Sequence, residues 1–126
     1  MAKHKILVVD DEEDITNTVA IMLRSRGFDV VTAYEGSDGF AKAKSEHPDI
    51  ILIDIMMPVM DGFETCIKLK SNKETQKIPI IMFSANGENA AVTKANKVGA
   101  EDFVVKPFNL PVLVSKLNRL LAKRNK

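Results

Sequence analysis

The sequence predicts an α/β domain: a doubly wound (βα)5 arrangement whose five-stranded parallel sheet is covered by helices on both faces. Five short apolar runs rich in Ile and Val recur along the chain, at 6–9, 30–33, 50–53, 80–83 and 103–105. Most lack polar alternation, as strands buried on both faces require. Between the runs lie stretches with apolar residues at helical spacing, so strand and helix alternate five times.

The first run, Ile6-Leu7-Val8-Val9, ends at Asp10. Ile15, Val19, Met22 and Leu23 then follow i, i+4, i+7, i+8 spacing, with Gly27 marking the stop. After the second run, Phe40, Ala41 and Ala43 indicate a shorter helix that halts near Pro48. The third run precedes Asp61-Gly62-Phe63-Glu64, which has the form of a capping box and opens a helix with Phe63, Cys66 and Ile67 on one face. After the fourth run, Ala91, Ala95 and Val98 form a stripe ending at Gly99. A buried Ala contributes much less than the ~1.5–3 kcal/mol of a buried Leu or Val, so this fourth helix is expected to be the most weakly held. Leu110, Leu113, Val114, Leu117, Leu120 and Leu121 make the fifth and strongest stripe, entered through Asn109 as cap and Pro111 in the first turn.

Composition narrows the class. The chain has 126 residues, the size of one domain spanning 1–126, and its net charge of +1 gives no global reason to expect nucleic acid or a membrane as partner. Cys66 is the single cysteine, which excludes an intrachain disulfide and fits a reducing, cytoplasmic setting. No apolar run approaches the ~20 residues needed to span a bilayer, and no signal-peptide pattern precedes Asp10. Lys123, Arg124 and Lys126 cluster at the C-terminus, where cations suit a helix end.

In an open parallel sheet, ligands bind beyond the carboxyl ends of the strands. The residues there are Asp10 and Asp11 (then Glu12 and Glu13) after the first run, Asp54 after the third, Ser84 after the fourth and Lys106 after the fifth. Two carboxylates ~4 Å apart repel by about 4 kcal/mol at an effective dielectric of ~20. Such a rim needs a cation, shared protons or solvation. Oxygen donors from few protein ligands suit Mg²⁺, with Mn²⁺ as the alternative. A lysine and a hydroxyl at the same rim suit an anion. Singly, each has an ordinary reading: an N-cap for Asp10-Asp11, a loop carboxylate for Asp54, a turn residue for Ser84, a surface lysine for Lys106. Their joint placement on one rim argues against four coincidences.

The ordered motifs Ile6-Leu7-Val8-Val9-Asp10-Asp11-Glu12, Ile53-Asp54-Ile55-Met56-Met57-Pro58-Val59-Met60-Asp61-Gly62, Phe83-Ser84-Ala85 and Gly99-Ala100-Glu101-Asp102-Phe103-Val104-Val105-Lys106-Pro107-Phe108 resemble the receiver domains of two-component response regulators, of the chemotaxis-regulator kind. The resemblance covers nearly the whole chain and implies a flavodoxin-like sheet of order 2-1-3-4-5. It implies that Asp54 accepts a phosphoryl group from a phosphohistidine of a sensor histidine kinase or phosphotransfer protein. Asp11, Asp54 and the main-chain carbonyl of Met56 match metal ligands, and Asp10 the acid acting through metal-bound water. Lys106, Ser84 and the Ala85 amide match the groups that hold the phosphoryl oxygens. Ser84 and Phe103 match the switch pair that alters the face made by the fourth helix, fifth strand and fifth helix. Phe103 keeps the ring of that switch and lacks the hydroxyl of the frequent tyrosine.

The resemblance further implies a cis bond between Lys106 and Pro107. It implies a domain that catalyses only its own phosphorylation and dephosphorylation, working as a monomer or a phosphorylation-dependent dimer with an output protein or domain. Met56 and Asn86 occupy positions where similar proteins tune dephosphorylation. Met56 has no polar group to orient a water, so a persistent phosphoryl state is expected.

Four rivals fit less well. A phosphatase using an aspartyl phosphate wants a second acid where Met56 stands. A flavin module wants a hydroxyl- and glycine-rich phosphate loop where Asp10-Asp11-Glu12-Glu13 stands. A dinucleotide binder wants G-x-G-x-x-G, which is absent. A receiver-like module that works without phosphate would be expected to lack one of the acids or the lysine.

Overall fold

The computed structural model describes residues 3–85, 89–106 and 109–124. Five strands and five helices alternate: β1 (Lys5–Val9), α1 (Glu13–Arg24), β2 (Asp29–Ala33), α2 (Gly36–Glu46), β3 (Ile50–Asp54), α3 (Gly62–Lys70), β4 (Ile80–Ser84), α4 (Asn89–Lys97), β5 (Asp102–Val105) and α5 (Leu110–Arg124). All strand pairs are parallel and the order is β2-β1-β3-β4-β5. The predicted runs lie within one residue of the strands at either end. β3 and β4 are buried at every position, which explains why they read as unbroken apolar runs.

Because side chains alternate across a strand, the sheet divides the core into two layers. Leu7, Val9, Ile51, Ile53, Ile80 and Met82 face the side covered by Ala43, Phe63, Cys66, Leu69 and Ala95. Ile6, Val8, Ile50, Leu52, Ile81 and Phe83 face the side covered by Val19, Leu23, Leu113, Leu117 and Leu121. The register Val9↔Ile53 and Ile53↔Met82 brings the ends of β1, β3 and β4 level. That alignment gathers the rim residues.

Local signals act as expected at three helix ends. Asp61 accepts from the Glu64 amide at 2.9 Å while Glu64 reaches back to the Asp61 amide at 3.4 Å, a complete capping box. Asn109 accepts from the Val112 amide at 3.3 Å. Gly99 follows α4 with φ +99°, a conformation only glycine adopts freely.

The helix faces differ from expectation in detail. In α1 the buried positions are Thr16, Val19, Ala20 and Leu23; Ile15 and Met22 are half-buried at the stripe's margins. Thr16 is in the core because its hydroxyl donates to the carbonyls of Asp10 and Glu12, at 3.0 and 2.9 Å, and so carries no unsatisfied polar atom inward. Ala41 is exposed, and Gly36, Gly39 and Ala43 are the buried residues of α2. In α3, Ile67 is 50% exposed while Leu69 takes the core position. α4 buries Ala95 alone among its nine residues, so the expectation of a lightly anchored helix agrees with its packing. Cys66 is fully buried, and burial pushes its thiol up to about 11, as for a small hydrophobe.

Candidate functional site

The carboxyl ends of β1, β3 and β4, with Lys106 just beyond β5, converge on one acidic pocket. Asp10 and Asp54 are buried, Ser84 is buried beside them, and Lys106 reaches in from the edge with only 15% of its side chain exposed. The Lys106 ammonium lies 3.2 Å from Asp10 Oδ2 and 3.5 Å from Asp54 Oδ2, and 4.7 Å from the centre of the Phe83 ring. One cation thus bridges two carboxylates. Asp10 Oδ1 also accepts from the Glu12 amide at 3.0 Å, and Asp54 Oδ1 from the Met56 amide at 3.4 Å.

One lysine does not neutralise this pocket. Burial, then the neighbouring Asp10 charge, raises Asp54 from 3.8 to about 7, against the lowering pull of Lys106. With both acids ionised, the pocket would be about one positive charge short of balance.

Among the described residues, Asp10, Glu12 and Asp54 can each bring an acid oxygen within 4.8 Å of the others. This donor set is all oxygen and all anionic, which fits a hard divalent cation such as Mg²⁺. Glu12, two residues after Asp10, is the member of this group with no role in the sequence reading. Its signal is the Asp-x-Glu spacing at a strand end, where the turn from β1 into α1 folds the side chain back. Asp11 is half-buried and stands outside that group of three. The Met56 side chain is 73% exposed, Ala85 is exposed next to Ser84, and Phe103 is half-buried against the α3–α4 layer. Asn86 and the Lys106–Pro107 bond fall outside the described residues.

The loop from β3 to α3 holds Asp54 in place. The Ile55 amide donates to the Phe83 carbonyl at 3.1 Å and the Gly62 amide to the Ile55 carbonyl at 2.9 Å. Gly62 lies so close to the backbone of Asp54 that an added Cβ would sit 2.4 Å from its carbonyl oxygen. The loop between them turns through Val59 at φ +66°.

The sheet order 2-1-3-4-5 is the one that the resemblance implied, and comparison with known proteins identifies the family. Residues 6–118 match the response regulator receiver domain family, and the chain belongs to that family. It is therefore a receiver domain of two-component signalling. It is 39% identical over 105 residues to Protein PilG of Pseudomonas aeruginosa, covering 83% of this chain and 78% of that one. It is 35% identical over 119 residues to the phosphate regulon transcriptional regulatory protein PhoB of Rhizobium meliloti, covering 94% of this chain and 52% of that one. The chain thus spans about half the length of the PhoB-type relatives it matches. Among solved structures, chemotaxis protein CheY4 of Vibrio cholerae superposes with a TM-score of 0.89 at 34% identity, over 94% of this chain and 99% of that one. The receiver domain of sensor histidine kinase PA1611 from Pseudomonas aeruginosa, with a magnesium ion in its active-site cleft, superposes with a TM-score of 0.89 at 28% identity, over 96% and 99%.

Proposed function

We propose that Asp54 accepts a phosphoryl group from the phosphohistidine of a sensor histidine kinase or phosphotransfer protein, in a Mg²⁺-dependent transfer within a single receiver domain over 1–126. The observation that carries this reading is the buried Asp54 carboxylate set against Asp10 and bridged by Lys106. In the step, an Asp54 Oδ forms the new P–O bond as the donor's P–N bond breaks, and the electron pair leaves with the imidazole nitrogen. Asp10, Asp11, Asp54 and the Met56 carbonyl are the residues assigned to the metal. Glu12 joins them on the geometry. A bound Mg²⁺ supplies the missing positive charge for both the acceptor and the transferred oxygens. Lys106, already between the two acids, pairs with the phosphoryl oxygens, together with the Ser84 hydroxyl and the Ala85 amide. The magnesium-bearing cleft of the PA1611 receiver supports the assignment.

Incubation with a small phosphodonor and Mg²⁺ tests it. Wild type is expected to gain the mass of one phosphoryl group, and Asp54→Asn to gain none. A wild type that stays unmodified, or an Asp54→Asn variant modified as well as wild type, removes the reading.

The modification adds about −1.5 to −2 charges at Asp54. Ser84 lies at the end of β4, one strand in from the edge, and its neighbour on that side is β5, which carries Phe103. Phe103 lines a groove of about 220 Å³ with Val92, Ala95 and Ala100, so its ring has space beside a lightly anchored α4. Small energy differences suffice to move such a helix. We assign the face of α4, β5 and α5 as the output surface. The domain acts on itself alone, in the cytoplasm, and loses its phosphoryl group slowly because Met56, two residues after the acceptor, is exposed and apolar. Met56→Asn is expected to speed dephosphorylation by about tenfold, less than the roughly 10²–10⁴-fold of a positioned general base because an amide orients the water without taking its proton; equal decay rates would remove that assignment.

A further inference from the structure

We infer that Met56 is an oxidation site at which a peroxide shortens the life of the phosphoryl group on Asp54. The inference rests on reading Asp54 as the acceptor and Met56 as the residue that slows its hydrolysis. The two ends of Met56 lie in different surroundings. Its amide donates to Asp54 Oδ1 at 3.4 Å, whereas its side chain is 73% exposed. Met56 thus carries a thioether from the wall of the acidic pocket out into solvent.

Exposure singles out this sulfur. The chain has six methionines and one cysteine. Met57 and Met82 are buried, and Met22 and Met60 are half-buried. The Met60 sulfur packs toward α2, where a Cβ added to Gly36 would lie 3.0 Å from it. Met1 lies outside the described residues. Cys66 is fully buried with its thiol pushed up to about 11, so it holds almost no thiolate, the form that peroxides attack. Among the described residues, Met56 is therefore the sulfur that a small oxidant meets first. Pro58 and Val59 beside it in the loop are exposed as well, so a polar group at Met56 disrupts no core packing.

In the oxidation, a lone pair of Met56 Sδ takes one oxygen atom from hydrogen peroxide. An S–O bond forms as the O–O bond breaks; sulfur gives up two electrons and the rest of the peroxide leaves as water. The sulfoxide oxygen is a strong hydrogen-bond acceptor where the thioether was a weak one. In hydrolysis of the adduct, a water oxygen bonds to phosphorus as the Asp54 Oδ–P bond breaks. The bonding pair stays on the carboxylate, and the water's proton passes to solvent. An acceptor that holds one hydrogen of that water turns its lone pair toward phosphorus. The thioether does this poorly and the sulfoxide does it well. A thiol-dependent sulfoxide reductase reverses the change, two thiols becoming a disulfide and the oxygen leaving as water.

Dilute hydrogen peroxide and peptide mass mapping test the site. Met56 is expected to gain one oxygen at least about tenfold faster than Met22, Met57, Met60 or Met82. Oxidised and untreated protein are then phosphorylated with a small phosphodonor and Mg²⁺, and the loss of adduct mass is followed in time. The oxidised form is expected to lose the phosphoryl group about tenfold faster, as for Met56→Asn, and sulfoxide reductase is expected to restore the slow rate. Met56→Leu, compared with itself before and after peroxide, is expected to decay at one rate. Even oxidation across the methionines, equal decay of oxidised and untreated wild type, or a peroxide-driven acceleration that persists in Met56→Leu would overturn the proposal. Untreated protein that gains no adduct sinks the phosphoryl-acceptor reading and this inference with it. An adduct whose decay ignores oxidation sinks this inference alone.

Discussion

Asp54→Asn is expected to stabilise the metal-free domain, and the gain should grow by about 2–3 kcal/mol between about pH 5 and about pH 8. The folded-state value of Asp54 stands at about 7 against 3.8 for a free side chain. An acid raised in this way binds more protons in the folded than in the unfolded chain between those two values. Its favourable contribution is complete below about pH 3.8 and is lost as pH rises through about 7. Above that, the folded chain carries an ionised Asp54 next to Asp10 with Lys106 alone to balance both. Asparagine cannot ionise, so the variant escapes this loss while keeping the shape of the side chain. The gap should therefore be small in acid and widen through neutrality. Millimolar Mg²⁺ should then raise the melting temperature of wild type at about pH 8 more than that of Asp54→Asn, since a ligand stabilises the state that binds it. Parallel pH profiles of the two proteins in a chelator would refute the account, because they would mean that Asp54 titrates in the fold as it does in the open chain.

Much of this arrangement was legible because its causes are local or periodic. The unbroken runs ending at Val9 and Ile53 gave the strands, and the residues following them gave Asp10 and Asp54 as rim acids. The capping box at Asp61 and the asparagine cap at Asn109 were readable because each satisfies a helix end within four residues. What the sequence hid depends on contacts across the chain. Ile67 shares a helical stripe with Phe63, yet α3 is rotated so that Leu69 enters the core and Ile67 meets solvent. Thr16 looks polar and is buried, because the carbonyls of Asp10 and Glu12 lie within reach of its hydroxyl. Glu12 read as one more acid at a helix start, and its approach to Asp54 depends on how the chain leaves β1. The raised state of Asp54 was also invisible, since it follows from burial and from a carboxylate 44 residues away in sequence.

Gly62→Ala is expected to lower stability by about 2–3 kcal/mol, or roughly 10 °C in melting temperature, and to slow phosphorylation of Asp54 by more than about tenfold. In a helix's first turn, alanine would ordinarily be favoured over glycine by about 1 kcal/mol. Here the added Cβ would lie 2.4 Å from the Asp54 carbonyl oxygen, 2.7 Å from Ile55 Cα and 3.0 Å from the Asp54 carbonyl carbon. All three are backbone atoms, so no side chain can swing aside. Either α3 moves away or the end of β3 does, and β3 is hydrogen-bonded to strands on both sides. The amide of Gly62 also anchors Ile55, so a shift of α3 loosens the residue next to the acceptor. Gly27→Ala supplies the control. Gly27 has φ +91° with nothing within 4 Å of an added Cβ, so its cost is conformational, about 1–2 kcal/mol, and Asp54 should be phosphorylated at the wild-type rate. A Gly62→Ala protein that melts and phosphorylates like wild type would show that the close approach of α3 does not fix the acceptor. If instead both variants lose similar stability but only Gly62→Ala loses rate, the helix start at Gly62 is what sets the position of Asp54 against Asp10 and Lys106.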